Sequence, residues 1–189
     1  VKELSACPQP AAQYVRGAFR GALVDPRSQQ RLEFVGDDPF VVISLDHSTV
    51  EWDTGKRPDG VLIVELDGVT WVCFVEMKGK LREERAFAQL KGGAEHFGPS
   101  SRAGGRRSHG DEHHDAWAAA KDLVSPLPSK GHRVIGLFVT FRAVARIPPR
   151  PPALVAGRPI AMRAVNVPKK KPNRAEIDPR KLLREAGVL

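Results

Sequence analysis

Three charged residues stand where charge is costly. Asp59 follows Pro58 at the head of an apolar run, and Glu76 and Lys78 close a second run, VTWVCFVEMK from Val69 to Lys78. A charge taken out of water must be paired, bound to a metal, or change its protonation state. The two runs flank Asp67-Gly68, a dipeptide whose residues both tolerate positive φ and which marks a tight hairpin. In such a hairpin, positions equidistant from the turn face each other, which sets Asp59 opposite Glu76. Two convergent carboxylates make a hard oxygen site of the kind that suits Mg2+ or Mn2+. Side chains alternate along a strand, so Lys78 shares the face of Glu76 and points at the same space. Plainer readings compete. Pro-Asp-Gly often begins a turn, and Glu76 with Lys78 reads equally as a surface ion pair worth little. The convergence of all three residues on one place favours a site.

The elements that must position these residues follow from periodicity. Val61–Leu66 and Val69–Lys78 read as the two hairpin strands. The second is apolar on both faces until its end, which makes it a central strand covered on both sides. Phe40–Leu45 is a β-branched strand, and shorter extended pieces are expected at Arg31–Val35 and Val50–Asp53. Residues 11–24 are predicted as a helix, with Val15, Phe19, Ala22 and Leu23 on one face and Asp25-Pro26 as its stop. Leu81–Phe97 is a second helix, in which Gly92-Gly93 predicts a kink or an early end at about 1 kcal/mol per glycine. A Gly/Ser/Arg-rich loop (98–110), a helix (111–124) and a strand (His132–Phe141) complete this part. After Arg142 come a stiff proline-rich linker, an alternating edge strand at Ile160–Val167, the basic run Lys169-Lys170-Lys171-Pro172 and a short helix at Pro179–Ala186. The order predicts an α/β fold, a mixed central sheet flanked by helices.

The pattern Pro58-Asp59 … Glu76-Met77-Lys78 resembles the PD-(D/E)xK nuclease superfamily. The predicted elements over residues 11–141 are similar to its restriction-endonuclease-like αβββαβ core. The resemblance implies a nuclease-like domain over 1–147 and a basic, proline-rich C-terminal extension over 148–189, packed on it or trailing from it. It implies that Asp59, Glu76 and the Met77 main-chain carbonyl hold Mg2+ or Mn2+. Lys78 would orient the attacking water and offset charge on the phosphate. Gln89, in the helix after Lys78, stands where RecB-like members carry a glutamine, while their tyrosine four residues on is Gly93 here. Some members carry a metal-binding glutamate in the first helix. Residues 11–24 contain no acid, and Glu3, Glu33 and Glu51 are the substitutes at hand. The activity implied is a metal-dependent endonuclease acting on DNA. The alternatives are a non-catalytic nucleic-acid-binding or assembly module of the same fold, and a protein whose basic tail docks an acidic partner. Many nucleases of this fold act as dimers, so a homodimer or larger complex is a further expectation.

Composition agrees with a soluble, polyanion-binding chain. The 189 residues, 41% hydrophobic, suffice for a full core, and no apolar run approaches the roughly 18–20 residues that cross a bilayer. The first residues carry an early acid and do not read as a secretory signal. Two cysteines make no disulfide framework, and Cys73 reads as a buried thiol, so a cytoplasmic location is expected. Net charge is +8 with pI near 9.9. Residues 142–189 hold 12 Lys+Arg and 3 Asp+Glu, against 18 and 19 in the first 141, so the excess is C-terminal. Such one-sided charge favours nucleic acid over a neutral partner. Arg102, Arg106 and Arg107 in the loop, and Lys169, Lys170 and Lys171, are the candidate phosphate contacts. The cluster His109, Asp111, Glu112, His113, His114 and Asp115 lacks a spaced Cys/His framework and reads as a solvated helix N-terminus rather than a zinc site. Trp52, Trp71 and Trp117 read as core.

Overall fold

The computed structural model describes residues 12–15, 17–25, 27–45, 57–78, 83–97, 132–141, 151–155 and 158–189. At its centre the hairpin forms as its residue types require. Asp67 and Gly68 both adopt positive φ, 52° and 75°. The flanking strands β5 (Gly60–Leu66) and β6 (Val69–Lys78) pair from Leu66↔Val69 to Gly60↔Val75. That is the register expected from the sequence.

Around this hairpin the described residues build two sheets and two helices, a mixed α/β fold that is mostly strand. The six-stranded sheet adds β4 (Phe40–Ser44) beside β5. On the other side, β7 (His132–Thr140) runs parallel to β6, followed by β9 (Arg158–Asn166) and β8 (Ala153–Val155), in the order β4-β5-β6-β7-β9-β8. Helix α1 (Glu83–Phe97) covers one face. Its Ala86, Leu90 and Ala94 pack with Val61, Ile63, Val72, Phe74 and Phe138. The opposite face, with Leu62, Val64, Cys73, Val75 and Leu137, meets Leu23, Leu32 and Phe34 of a second sheet. That sheet has the order β1-β2-β3-β11-β10, from β1 (Ala12–Val15), β2 (Ala18–Asp25), β3 (Gln30–Gly36), β10 (Lys169–Lys171) and β11 (Arg174–Ile177). Strand β6 is thus covered on both sides, as its sequence requires. Each fully buried Leu or Phe in these two interfaces contributes about 1.5–3 kcal/mol.

Residues 12–25 are not a helix; they form the β1–β2 hairpin. Val15, Phe19 and Leu23 are spaced by four, which fits one helix face and equally one strand face, since four is also a multiple of two. Gly17 decides the matter. It takes a φ of 85°, closing the turn, and β2 then gains seven registered partners on β3 from Phe19↔Gly36 to Asp25↔Gln30. Of the helices expected to flank the central sheet, α1 lies on one face, and the other face is covered by the second sheet together with α2 (Pro179–Glu185). The expected strand at 50–53 and helix at 111–124 fall outside the described residues.

Helix α1 runs unbroken through Gly92-Gly93, against the expected kink or early end. A Cβ on Gly93 would stand 2.8 Å from Pro58 Cγ and 3.0 Å from Phe74 Cδ1, so glycine lets the helix lie close on Pro58, just before Asp59, and on β6. Strand β9 is interior rather than an edge, parallel to β7 on one side and antiparallel to β8 on the other. Strand β11 pairs in parallel with β3. The segment from 148 onward therefore supplies strands to both sheets. Helix α2 begins with Asp178 Oδ1 accepting from the Lys181 N–H at 2.9 Å and Pro179 at its first position. Arg180 then forks to Asp38 (Nε–Oδ2 3.0 Å) and Asp67 (Nη1–Oδ2 2.9 Å), tying the helix to two turns.

Candidate active site

Asp59 sits one residue before β5, and the register brings it to Glu76 on β6. Each carboxylate accepts from backbone belonging to the other side. The Asp59 N–H donates to Glu76 Oε2 at 3.1 Å, and the Met77 N–H donates to Asp59 Oδ2 at 2.6 Å. The Asp59 carbonyl accepts from the Leu45 N–H at 3.0 Å, which fastens it to the end of β4 as well. Lys78, two residues along the same face of β6, ion-pairs through Nζ with Glu76 Oε1. All three residues singled out by sequence spacing meet at one sheet end.

The electrostatics are those of a charged group held in a dry place. Asp59 is 7% exposed and Glu76 0%, whereas the Lys78 side chain is 22% exposed and opens the cluster to solvent. Burial, and then the neighbouring Asp59 charge, push the Glu76 carboxyl up to about 8, against the pull of Lys78 and the Asp59 N–H. A carboxyl so placed keeps its proton into the neutral range unless further positive charge is brought beside it.

The donor set fits a hard divalent ion. Among the described residues no group of three or more His, Cys, Asp or Glu side chains converges, so the protein would offer Asp59 and Glu76 and leave the remaining positions to main chain, water and substrate. Mg2+ is bound in this way, through one or two carboxylates plus phosphate oxygens. Of Met77, it is the N–H that the structure ties to Asp59, and its side chain is buried on the opposite face in the inter-sheet core.

Gln89 is placed on α1 so that its Nε2 donates to the Arg57 carbonyl at 2.9 Å, while its buried Oε1 has no hydrogen-bond partner among the described residues. It therefore holds the backbone two residues before Asp59. The close approach that permits this is made at Gly93, one turn further along α1. A tyrosine there would collide with Pro58. Thr140, buried at the end of β7 and register partner of Lys78, lines the same sheet end. Sequence reading passed over it because β6–β7 pairing is parallel and distant, with no turn between the strands to set the register.

The remaining candidates lie elsewhere. Lys169, Lys170 and Lys171 are exposed on β10, the edge of the five-stranded sheet, and Lys170 pairs with Glu176 at 2.5 Å. Glu33, considered as a further metal ligand, is on β3 of that sheet, held by Arg31 and Arg174. Arg102, Arg106, Arg107, Glu3, Glu51, Trp52, Trp117 and the histidine cluster at 109–115 fall outside the described residues. Trp71 is core, with Arg133 5.4 Å over its ring. Cys73 is buried, and burial pushes its thiol up. Among the described residues no helix is long and apolar enough to cross a membrane. Compared with protein-family models, curated proteins and solved structures, the chain matches none.

Proposed function

We propose that the chain is a metal-dependent nuclease that hydrolyses phosphodiester bonds in DNA. One observation carries the reading: two buried carboxylates cross-bonded through their backbones, with a lysine on the same face, at the end of a central strand. In support, β4, β5, β6, α1 and the parallel β7 come, among the described elements, in the order that the βββαβ part of a restriction-endonuclease-like core would have. The first helix of that core has no counterpart among the described residues.

A Mg2+ or Mn2+ ion held by Asp59 and Glu76 would supply positive charge and a lowered water pKa. The chain's own residues do the rest. The Met77 and Asp59 N–H groups fix both carboxylates, so neither must reorganise during reaction. Lys78, on the same face as Glu76 and 22% exposed, would orient the attacking water and offset charge on the phosphate. Gln89 and the Gly93 contact keep the Arg57-Pro58-Asp59 approach in place.

A second reading has its own support. The cluster supplies its own cation, since Lys78 already pairs with Glu76. That suits a nucleic-acid-binding or assembly module without catalysis. Cleavage decides between them. Labelled single-stranded, duplex and branched DNA and RNA are incubated with the protein in Mg2+, Mn2+ or EDTA. Metal-dependent cutting that falls about a hundredfold or more in Asp59→Ala and Lys78→Ala, both folded, supports the nuclease. Salt-sensitive binding without cutting supports the module.

A further inference from the structure

The outer face of the five-stranded sheet carries a second charged arrangement, on the other layer from the carboxylates. Arg31 on β3 and Arg174 on β11 are register partners, and Arg174 is in turn the register partner of Lys171 on β10. Three cations thus lie in a row across three adjacent strands. Like charges directly opposite one another destabilise a sheet. This row is braced instead of avoided. The carboxylate of Glu33, itself 7% exposed, takes Arg31 Nε at 2.6 Å and Arg174 Nη2 at 2.5 Å, holding the two guanidinium groups side by side. Lys170 is fixed to Glu176 at 2.5 Å in the next row. The side chains of Arg31 and Arg174 remain 50% and 44% exposed.

We infer that this row is a docking surface for the phosphate backbone of nucleic acid. Guanidinium forks suit phosphate oxygens, and bracing by Glu33 removes part of the ordering cost of two long side chains. Three cations over two strand spacings span about 10 Å. One phosphate would leave part of that row unused, whereas a polymer with charge repeated along its length engages all of it. A membrane surface is the poorer fit, because the strands that carry the row, β3, β10 and β11, present no exposed large apolar side chain among the described residues. The inference rests on the nuclease reading only for its choice of polymer.

The test is equilibrium binding of the whole chain to a labelled duplex DNA in EDTA, from 50 to 200 mM KCl. The proteins compared are wild type, Lys171→Gln, and the triple Arg31→Gln/Arg174→Gln/Lys171→Gln. Loss of three phosphate contacts lowers the slope of log affinity on log salt by about 2.7, so across this range wild type loses about 40-fold more affinity than the triple. Lys171→Gln, at an exposed position on the sheet edge, lowers the slope by about 0.9 and covers the case in which the triple does not fold. Wild-type slopes in Lys171→Gln and in a folded triple overturn the inference. So does binding of phosphatidylserine vesicles with none to DNA. Cutting by wild type with unaltered DNA binding in the variants leaves the nuclease standing and removes the surface. Row-dependent binding by a protein that cuts nothing does the reverse.

Discussion

Glu76→Gln tests whether a buried charge is stored at the sheet end. In the metal-free protein the Glu76 carboxyl titrates near 8 rather than at its ordinary 4.5. A raised carboxyl favours the folded state fully below 4.5, and that advantage is lost as pH rises to 8, where the folded chain must hold a desolvated anion. At about 1.4 kcal/mol for each pH unit, the interval sets a ceiling on the order of 5 kcal/mol, and half of that is a sound expectation once the site relaxes. Glutamine keeps the shape and the acceptor for the Asp59 N–H but not the charge. Urea unfolding in EDTA should give equal midpoints for wild type and Glu76→Gln at pH 4.5–5. By pH 8 the variant should be the more stable by about 2–3 kcal/mol. Adding Mg2+ at pH 8 should raise the wild-type midpoint and leave the variant's unchanged. Parallel pH curves for the two proteins would refute the argument, because Glu76 would then be solvated or permanently neutral.

Two further predictions follow from contacts around this site and the second sheet. Gly93→Ala gains about 1 kcal/mol of helix propensity. It must nevertheless push α1 away from Pro58, 2.8 Å from the new Cβ. Its urea midpoint should shift little while nuclease kcat falls at least tenfold, because a displacement of about 1 Å before Asp59 is enough to spoil alignment. Burial alone would raise the Glu33 carboxyl, but hydrogen bonds and charge from Arg31 and Arg174 outweigh it and hold the group below its ordinary value. The stability this contributes is present above about pH 4.5 and is lost as pH falls further. Glu33→Gln should therefore destabilise by about 1 kcal/mol at neutral pH. Acid titration of the two proteins, followed by circular dichroism, should show that gap closing below pH 4.5.

The parts of this fold that are local in sequence were the legible ones. Asp67-Gly68 admits essentially one turn, and counting outward from it pairs Asp59 with Glu76 without any tertiary information. Lys78 followed from alternation alone. The β1–β2 hairpin was misread because its apolar spacing serves both periods, and the tie is broken by pairing with β3 rather than by propensity. Gly93 looked like a weakness in a helix, when its reason is Pro58, which is distant in sequence. The Arg31–Arg174 row had no local signal, since the two residues become neighbours only through parallel pairing of β3 with β11.

That parallel pairing also orders events in time. Arg174 reaches Glu33 across 141 positions of chain, so the five-stranded sheet has high contact order and closes late in folding. Until β11 arrives, β3 presents an open edge, with Leu32 and Phe34 lacking part of their cover. During synthesis the six-stranded sheet can assemble from β4 through β7 while β1, β2 and β3 wait for β11. Until β11 emerges the nascent chain carries a sticky, unfinished layer, and chaperone contact should concentrate on β3 in that interval.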